Sequence, residues 1–308
     1  MYFCVIEHEN LPKDVSGVIE NLTQYKFFLA AAKNGSISAA ARKLYVTQPA
    51  VSSGILQLED ALGVKLFFRT SRGITLTPEG KILYDYVNSG LSFIEAGEDK
   101  LREISGLNSG IMRIGASDMT LKFFLLKYIE EFNNIYPNIN LIMENNPTPQ
   151  TLNSLKNGQI DFCMVSEPVD EDSDIKFIPV FEIRDIIVCK NNEKFAALFD
   201  REIDIEELCV YTLIMLEKET STRRYWEKFI TIEPSIELAQ SDLIIDFALR
   251  GLGISFIVEN FAIEYLKSGE LKEIKLKTQI PKRRFLLGYL NNIPLSAAAK
   301  KFISKITN

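Results

Sequence analysis

The sequence predicts an α+β, multi-domain chain with a small helical head, one long helix and a larger α/β body. Three observations predict it. Three consecutive alanines, Ala39, Ala40 and Ala41, sit in a short helical pattern that is followed at once by a second. From Leu83 onward, apolar residues recur at alternating spacings of four and three, the period of a paired helix. After Gly110, short apolar runs alternate with helical patterns, the order that builds sheets covered by helices.

Residues 1–19 mix charges with Pro12 and Gly17 and are expected to be an extension without order, Tyr2 to Ile6 being its best strand candidate. Asn21 is placed to cap a helix from Leu22 to Lys33, with Tyr25, Phe28, Leu29 and Ala32 inward and Gly35 ending it. Ser36 caps the next helix, Ile37 to Lys43. After a break at Leu44 to Val46, Thr47 caps a third, with Pro49 in its first turn, where a missing N–H costs nothing. Val51, Ile55, Leu58 and Leu62 form its single apolar stripe. Small residues at the crossing suit a DNA-binding helix-turn-helix. On pattern alone they equally suit an ordinary helical hairpin.

The flanks decide between these. Phe28, Ser36, Ala40, Ala41, Leu44, Val46, Gln48, Pro49, Ala50, Val51, Ser52, Ile55, Leu58, Glu59, Leu62, Gly63, Leu66, Phe67, Arg69, Leu76, Thr77 and Gly80 closely resemble the start of a LysR-type transcriptional regulator. The resemblance implies that residues 20–77 form a winged helix-turn-helix, with Gln48, Pro49 and Ser52 on the recognition helix and Arg69 to Leu76 as the wing. Ser71-Arg72-Gly73 is its tight turn. A Gln at a helix tip can pair with an adenine edge, and Ser can meet a base or a phosphate. The candidate DNA contacts are Ser36, Ser38, Arg42, Lys43, Thr47, Gln48, Pro49, Ser52, Ser53, Gln57, Arg69 and Arg72.

The sequence departs from the family at Ser53, Leu56 and Gln57, where many relatives carry basic or long polar residues, and at mid-helix Gly54, which costs about 1 kcal/mol relative to Ala. No Lys or Arg lies between Gln48 and Leu58. Phosphate contacts then fall to Arg42, Lys43, Lys65, Arg69 and Arg72, which predicts modest affinity for random DNA and a shallow salt dependence. Charge is concentrated to match. Residues 20–82 hold eight Lys/Arg against four acids, a net +4, which leaves −10 for the rest of a chain of net charge −6. A basic head on an acidic body fits DNA binding at one end.

Residues 78–106 read as a linker and dimerisation helix. Thr77 and Pro78 open it, and Leu83, Val87, Gly90, Ile94, Gly97, Leu101 and Ile104 form the seam. The alternative is a surface helix packed on its own domain. Relatives pair through this helix, which implies a homodimer or homotetramer on a palindromic operator. Gly106 to Gly110 reads as a hinge.

Residues 107–308 are the expected effector-binding domain. Strands are predicted at Ile111–Gly115, Ile139–Met143, Ile160–Val165, Ile186–Cys189, Leu213–Leu216, Ile236–Leu238, Ile254–Ile257, Leu271–Leu276 and Phe285–Leu290, arranged as parallel sheets. Helices are predicted at Leu121–Tyr136, Thr148–Asn157, Ser221–Thr231, Ser241–Arg250, Glu259–Ser268 and Ser296–Ile306. The resemblance implies two α/β lobes, like a periplasmic binding protein, with crossovers near 185–190 and 255–290 and a ligand cleft between them.

Loops at strand ends supply the cleft candidates: Ser117, Asp118, Thr148, Gln150, Ser166, Glu167, Ser221, Thr222 and Arg223. Hydroxyls, helix-start N–H groups and an Arg suit a small anion or carboxylate. Ser117, Thr148 and Ser221 fit equally well as N-caps. Asp118 and Glu219 oppose an anion unless they pair with Arg223, and otherwise favour an effector bearing an amine. Expected partners are double-stranded DNA, the effector, further copies of the chain and RNA polymerase, without a membrane, a cofactor or a metal, and the expected location is the cytoplasm. A solute-binding protein of the same two-lobe build is the alternative, but it has no use for a basic head. With His8 the only histidine, no Ser-His-Asp or Cys-His pair and no zinc spacing is available. Cys4, Cys163, Cys189 and Cys209 form no C-x-x-C pair, and Cys163 and Cys189 sit in apolar runs as expected buried thiols.

Overall fold

The computed structural model describes residues 21–70, 73–103, 110–231 and 233–307. The extension 1–19, Cys4, His8, Arg72 and most of the hinge lie outside these residues. The chain forms two compact units that divide inside the long helix, between Ser92 and Phe93.

In the first unit, α1 (Leu22–Asn34) starts where the Asn21 side chain accepts from Thr23 N and ends on Gly35 in the left-handed region. α2 (Ile37–Lys43) is capped by Ser36, whose hydroxyl accepts from Ala39 N. α3 (Gln48–Leu62) follows. Phe28, Ala40, Ala41, Val51, Ile55 and Leu58 make a common core for the three helices. On α1 the innermost small residue is Ala31; Leu29 and Ala32 are only half-buried. A Cβ on Gly54 would come within 2.6 Å of the Phe27 ring, so glycine at this mid-helix position permits α1 and α3 to approach closely. β1 (Phe67–Thr70) and β2 (Gly73–Leu76) pair antiparallel as the wing.

The helix α4 (Pro78–Glu103) begins beside the wing. A Cβ on Gly80 would lie 2.2 Å from the Leu66 carbonyl oxygen, so only glycine passes there. The predicted seam does not remain free along its length. Val87 is buried and Leu83 half-buried in the head's own core, joined by Leu91. Of the predicted seam, Ile94 and Leu101 stay exposed; in the first turns, where the head takes Leu83 and Val87, the exposed apolar side chains are Ile82 and Tyr86 instead.

The second unit has two lobes, each built on a mixed sheet rather than the parallel sheet expected. Lobe one runs β3 (Gly110–Ala116), α5 (Asp118–Thr120), a π-helical turn at Leu121–Leu125, α6 (Leu126–Ile135), β4 (Ile139–Asn145), α7 (Thr148–Lys156), β5 (Phe162–Ser166) and β6 (Ile175–Ile183). Lobe two runs β7 (Asp185–Lys190), β8 (Glu202–Ile203), β9 (Leu213–Leu216), α8 (Ser221–Trp226), β10 (Ile236–Leu238), α9 (Ser241–Leu249), β11 (Ile254–Val258), α10 (Ile263–Ser268) and β12 (Leu271–Leu276). The chain then returns to lobe one with β13 (Arg283–Leu290) and α11 (Ala297–Thr307).

The five-stranded sheet has the order β4-β3-β5-β13-β6 and the six-stranded sheet β10-β9-β11-β7-β12-β8. β13 lies antiparallel to both β5 and β6, and β7 antiparallel to β11 and β12. The crossovers are Arg184 and residues 277–282, so Asp185 to Lys190 is already a strand of lobe two. A strand that enters from the other lobe has no crossover helix of its own and need not run parallel. The nine-residue β6 is not among the predicted strands: its apolar run from Phe177 to Phe181 is broken by Pro179, a residue that argues against a strand interior. α8 stops at Trp226, five residues short of the prediction. No helix among the described residues is long and apolar enough to cross a membrane.

Candidate functional sites: a DNA-reading head and an inter-lobe cleft

On the head, Arg42, Lys43, Thr47, Gln48, Pro49, Ser53, Gln57 and Arg69 are exposed, as is Ser38; Ser36 and Ser52 are half-buried. Ser36 is occupied as a cap. Thr47 stands at the N-cap of α3 but makes no side-chain cap bond, contrary to expectation. Its hydroxyl and the first N–H groups of α3 therefore have no capping partner in each other, and they sit where a phosphate or base edge is best received. The Ser38 hydroxyl donates to Gln48 Oε1 at 3.0 Å, which steadies the Gln48 amide. Gln57 Oε1 is taken by Gln24 Nε2 at 2.9 Å, so Gln57 serves the α1–α3 contact as well as the exposed face. Lys65 reaches Glu59 at 2.9 Å and is not a free phosphate ligand.

Glu59 itself was outside the candidate set. It is buried, and its Oε1 accepts from Leu66 N at 2.8 Å and Phe67 N at 3.4 Å, which fixes the wing to α3. Burial raises its pKa, but the bonds from Lys65, Leu66 and Phe67 outweigh that and hold the carboxyl below its ordinary value.

α2 ends in a Schellman motif: Tyr45 N donates to Arg42 O and Val46 N to Ala41 O. Its left-handed residue is Tyr45, at φ 56°. The helix ends at Gly35, Gly63 and Gly269 place glycine in that conformation. A side chain there costs about 1–2 kcal/mol. Tyr45 is also 95% exposed.

In the body, an open cleft of about 400 Å³ is lined from lobe one by Ser117, Asp118, Met119 and Asn145 to Thr148, and from lobe two by Leu216, Glu217, Glu219 to Thr222 and Ala239 to Asp242. Five of the nine predicted effector residues line it: Ser117, Asp118, Thr148, Ser221 and Thr222. Ser117 is a true N-cap, accepting from Thr120 N. Thr148 and Ser221 are not caps, because Pro147 and Thr220 hold those positions.

Polar bridges span the cleft. Ser166 and Ser221 share a hydrogen bond of 2.5 Å. Gln150 Nε2 donates to Glu219 at 2.9 Å, Lys122 to Asp242 at 2.8 Å, and Ser241 N to Asp118 Oδ2 at 3.3 Å. Gln150 and Ser166 thus act on the lining from behind or beside it. Glu167 turns to Arg284, whose bonds hold its carboxyl below the ordinary range.

Arg223 does not face the cleft. It is 2% exposed, and Glu227, Glu233 and Glu237 surround its guanidinium at 2.9, 3.2 and 3.1 Å. Asp118 and Glu219 take other partners, so neither pairs with Arg223. The cation near the cleft floor is Arg283. It binds Asp185 through two bonds (2.5 and 2.8 Å), Thr222 Oγ1 (2.8 Å), Ser166 Oγ (3.3 Å) and the Glu167 carbonyl (2.7 Å). In the sequence it hides in Lys282-Arg283-Arg284, which reads as surface charge. Among the described residues, the lining itself carries Asp118, Glu217, Glu219 and Asp242 and no Lys or Arg.

Residues 22–81 match the bacterial regulatory helix-turn-helix domain of the lysR family, and residues 105–308 match the LysR substrate binding domain. The chain belongs to the LysR family. It is 30% identical to the HTH-type transcriptional regulator GltR of Bacillus subtilis over 257 residues, 82% of this chain and 84% of GltR. It is 27% identical to the transcriptional activator CmpR of Synechocystis over 92% of this chain and 93% of CmpR. In fold it is similar to a full-length OxyR variant from Pseudomonas aeruginosa (TM-score 0.68, 21% identity, 93% and 94% of the two chains). It is also similar to CbnR crystallised with its target DNA (TM-score 0.66, 16% identity, 93% and 98% covered). This LysR-type protein is a transcriptional regulator with an effector-binding domain.

Proposed function

We propose that this regulator sets α3 in the major groove of a palindromic operator, and that a small effector bearing an amine controls the grip from the inter-lobe cleft. The chemistry of the lining carries the effector's class. Of the four lining carboxylates only Asp242 is met by a lysine among the described residues, Lys122; the excess of negative charge disfavours the small anion that the loop sequences suggested and offers charge-assisted acceptors to an ammonium. Ser241 N at the start of α9 is taken by Asp118, which leaves the start of α7 at Thr148 to receive a carboxylate on the same molecule, so an amino acid satisfies both ends.

Ser117, Asp118, Thr148, Ser221 and Thr222 are its contacts, with Glu219 and Asp242 added. Gln150 and Ser166 orient them. The effector acts by binding one lobe arrangement better than another, breaking or reinforcing the bridges that cross the cleft. Two copies pair through Ile82, Tyr86, Ile94 and Leu101 of α4, as apolar stripes of this kind require a cover. RNA polymerase is a further partner at the promoter, the site of action is the cytoplasm, and the cleft binds without catalysing.

The test is calorimetric titration of the full-length chain with amino acids, polyamines and dicarboxylates, beside gel retention of a selected duplex. Heat from an amine-bearing compound, lost in Asp118→Asn, supports the reading. Heat from dicarboxylates alone overturns it.

A further inference from the structure

Tyr45 combines a disfavoured backbone with an exposed ring. It occupies the left-handed position that ends α2, where three other helices of this chain use glycine. Its side chain is 95% exposed, so no packing among the described residues offsets the conformation. It also sits two residues before the uncapped start of α3, next to the exposed Arg42 and Lys43.

We propose that Tyr45 is a DNA contact, its ring laid on a deoxyribose and its hydroxyl donating to a backbone phosphate beside the groove that α3 enters. The inference rests on the DNA-binding reading of the head and adds a contact to it. The occupant follows from the surroundings. Two neighbouring cations and an uncapped helix start favour an anion, and an aromatic with a terminal hydroxyl suits the sugar–phosphate edge. The Schellman bonds hold the backbone of this residue in place before DNA arrives, so only the side-chain rotamer is left to order on binding.

A neutral backbone contact has a distinct signature. Its loss lowers affinity for all sequences alike, because phosphates carry no sequence information. It leaves the slope of log affinity against log salt unchanged, because it releases no counterion.

The test uses the full-length chain with two probes: a random-sequence 30-bp duplex and the tightest duplex recovered from a random pool. Tyr45→Asn suits the left-handed backbone, so its melting temperature is expected to equal or exceed that of the parent. It is expected to bind both duplexes about tenfold more weakly, the lower end of the range for a hydrogen bond to a charged group, with the parent's salt slope. Tyr45→Phe should keep the ring's share and lose the hydroxyl's. Arg42→Ala, by contrast, should flatten the salt slope. If the parent retains duplexes and Tyr45→Asn retains them equally, the contact is refuted while the DNA reading stands. If the parent retains none, both fall.

Discussion

The head and the body each bury one acidic side chain at a mechanical joint, and they partner it differently. Glu59 in the head takes two backbone N–H groups, and one solvent-facing lysine, from residues only six to eight positions away. Asp185 in the body accepts from Nε and one terminal nitrogen of Arg283, which is 98 positions away. The first is a local brace between a helix and a wing. The second is a long-range clasp that holds together the two points where the chain crosses between lobes. A brace made of backbone donors survives small rearrangements of its neighbours. A buried ion pair tolerates the loss of neither partner, since the remaining charge has no water to turn to.

Breaking the clasp should have the largest effect. Arg283→Met or Asp185→Leu alone is expected to lower the body's unfolding free energy by about 3–5 kcal/mol, read by urea titration. The double replacement should recover much of that, and equal losses in single and double variants would mean the pair is not the clasp described.

Removing the brace comes next. Glu59→Gln should cost the head about 1.5–3 kcal/mol, the range for hydrogen bonds to a charged group. Because folding depresses the Glu59 carboxyl, its contribution is whole above the ordinary carboxylate range and fades as pH falls through and below it. The parent's head should therefore lose more stability than Glu59→Gln on acidification, as followed by circular dichroism; parallel curves would count against the brace.

Arg223→Ala should be milder for stability, since its carboxylate partners reach solvent and the expected loss is about 1–3 kcal/mol. Its effector titration should match the parent's, because Arg223 faces Glu227, Glu233 and Glu237 rather than the cleft. A collapse of effector binding with the fold intact would return Arg223 to the site.

The smallest effect concerns the thiols. Burial pushes Cys163 and Cys189 up to about 12, so neither holds appreciable thiolate near neutral pH. Native chain treated with iodoacetamide at about pH 8, near the ordinary thiol range, should be modified at exposed Cys209 and spared at Cys163 and Cys189, as mass spectrometry of its peptides would show.

These differences explain what could be read beforehand. The head's caps, stripe and wing come from neighbours in the chain, so Asn21, Ser36, Pro49 and Val51-Ile55-Leu58 announced them. Thr47 misled because a cap-forming residue type does not guarantee the bond. In the body, strand and helix positions were largely legible from their apolar runs, while their directions and partners were not. Arg223 and Arg283 show why: both are arginines in charged surroundings, and only the fold decides that one meets three glutamates and the other clasps the inter-lobe crossovers.

The order of residues by itself determined the family, the recognition helix and the division of charge between a basic head and an acidic body, because each is local or a sum. The tertiary structure alone decided which carboxylates converge on the cleft and which arginine clasps the inter-lobe crossovers. It also decided which stripe of α4 stays uncovered. Those properties depend on distances between residues far apart in the chain, and no spacing rule encodes them.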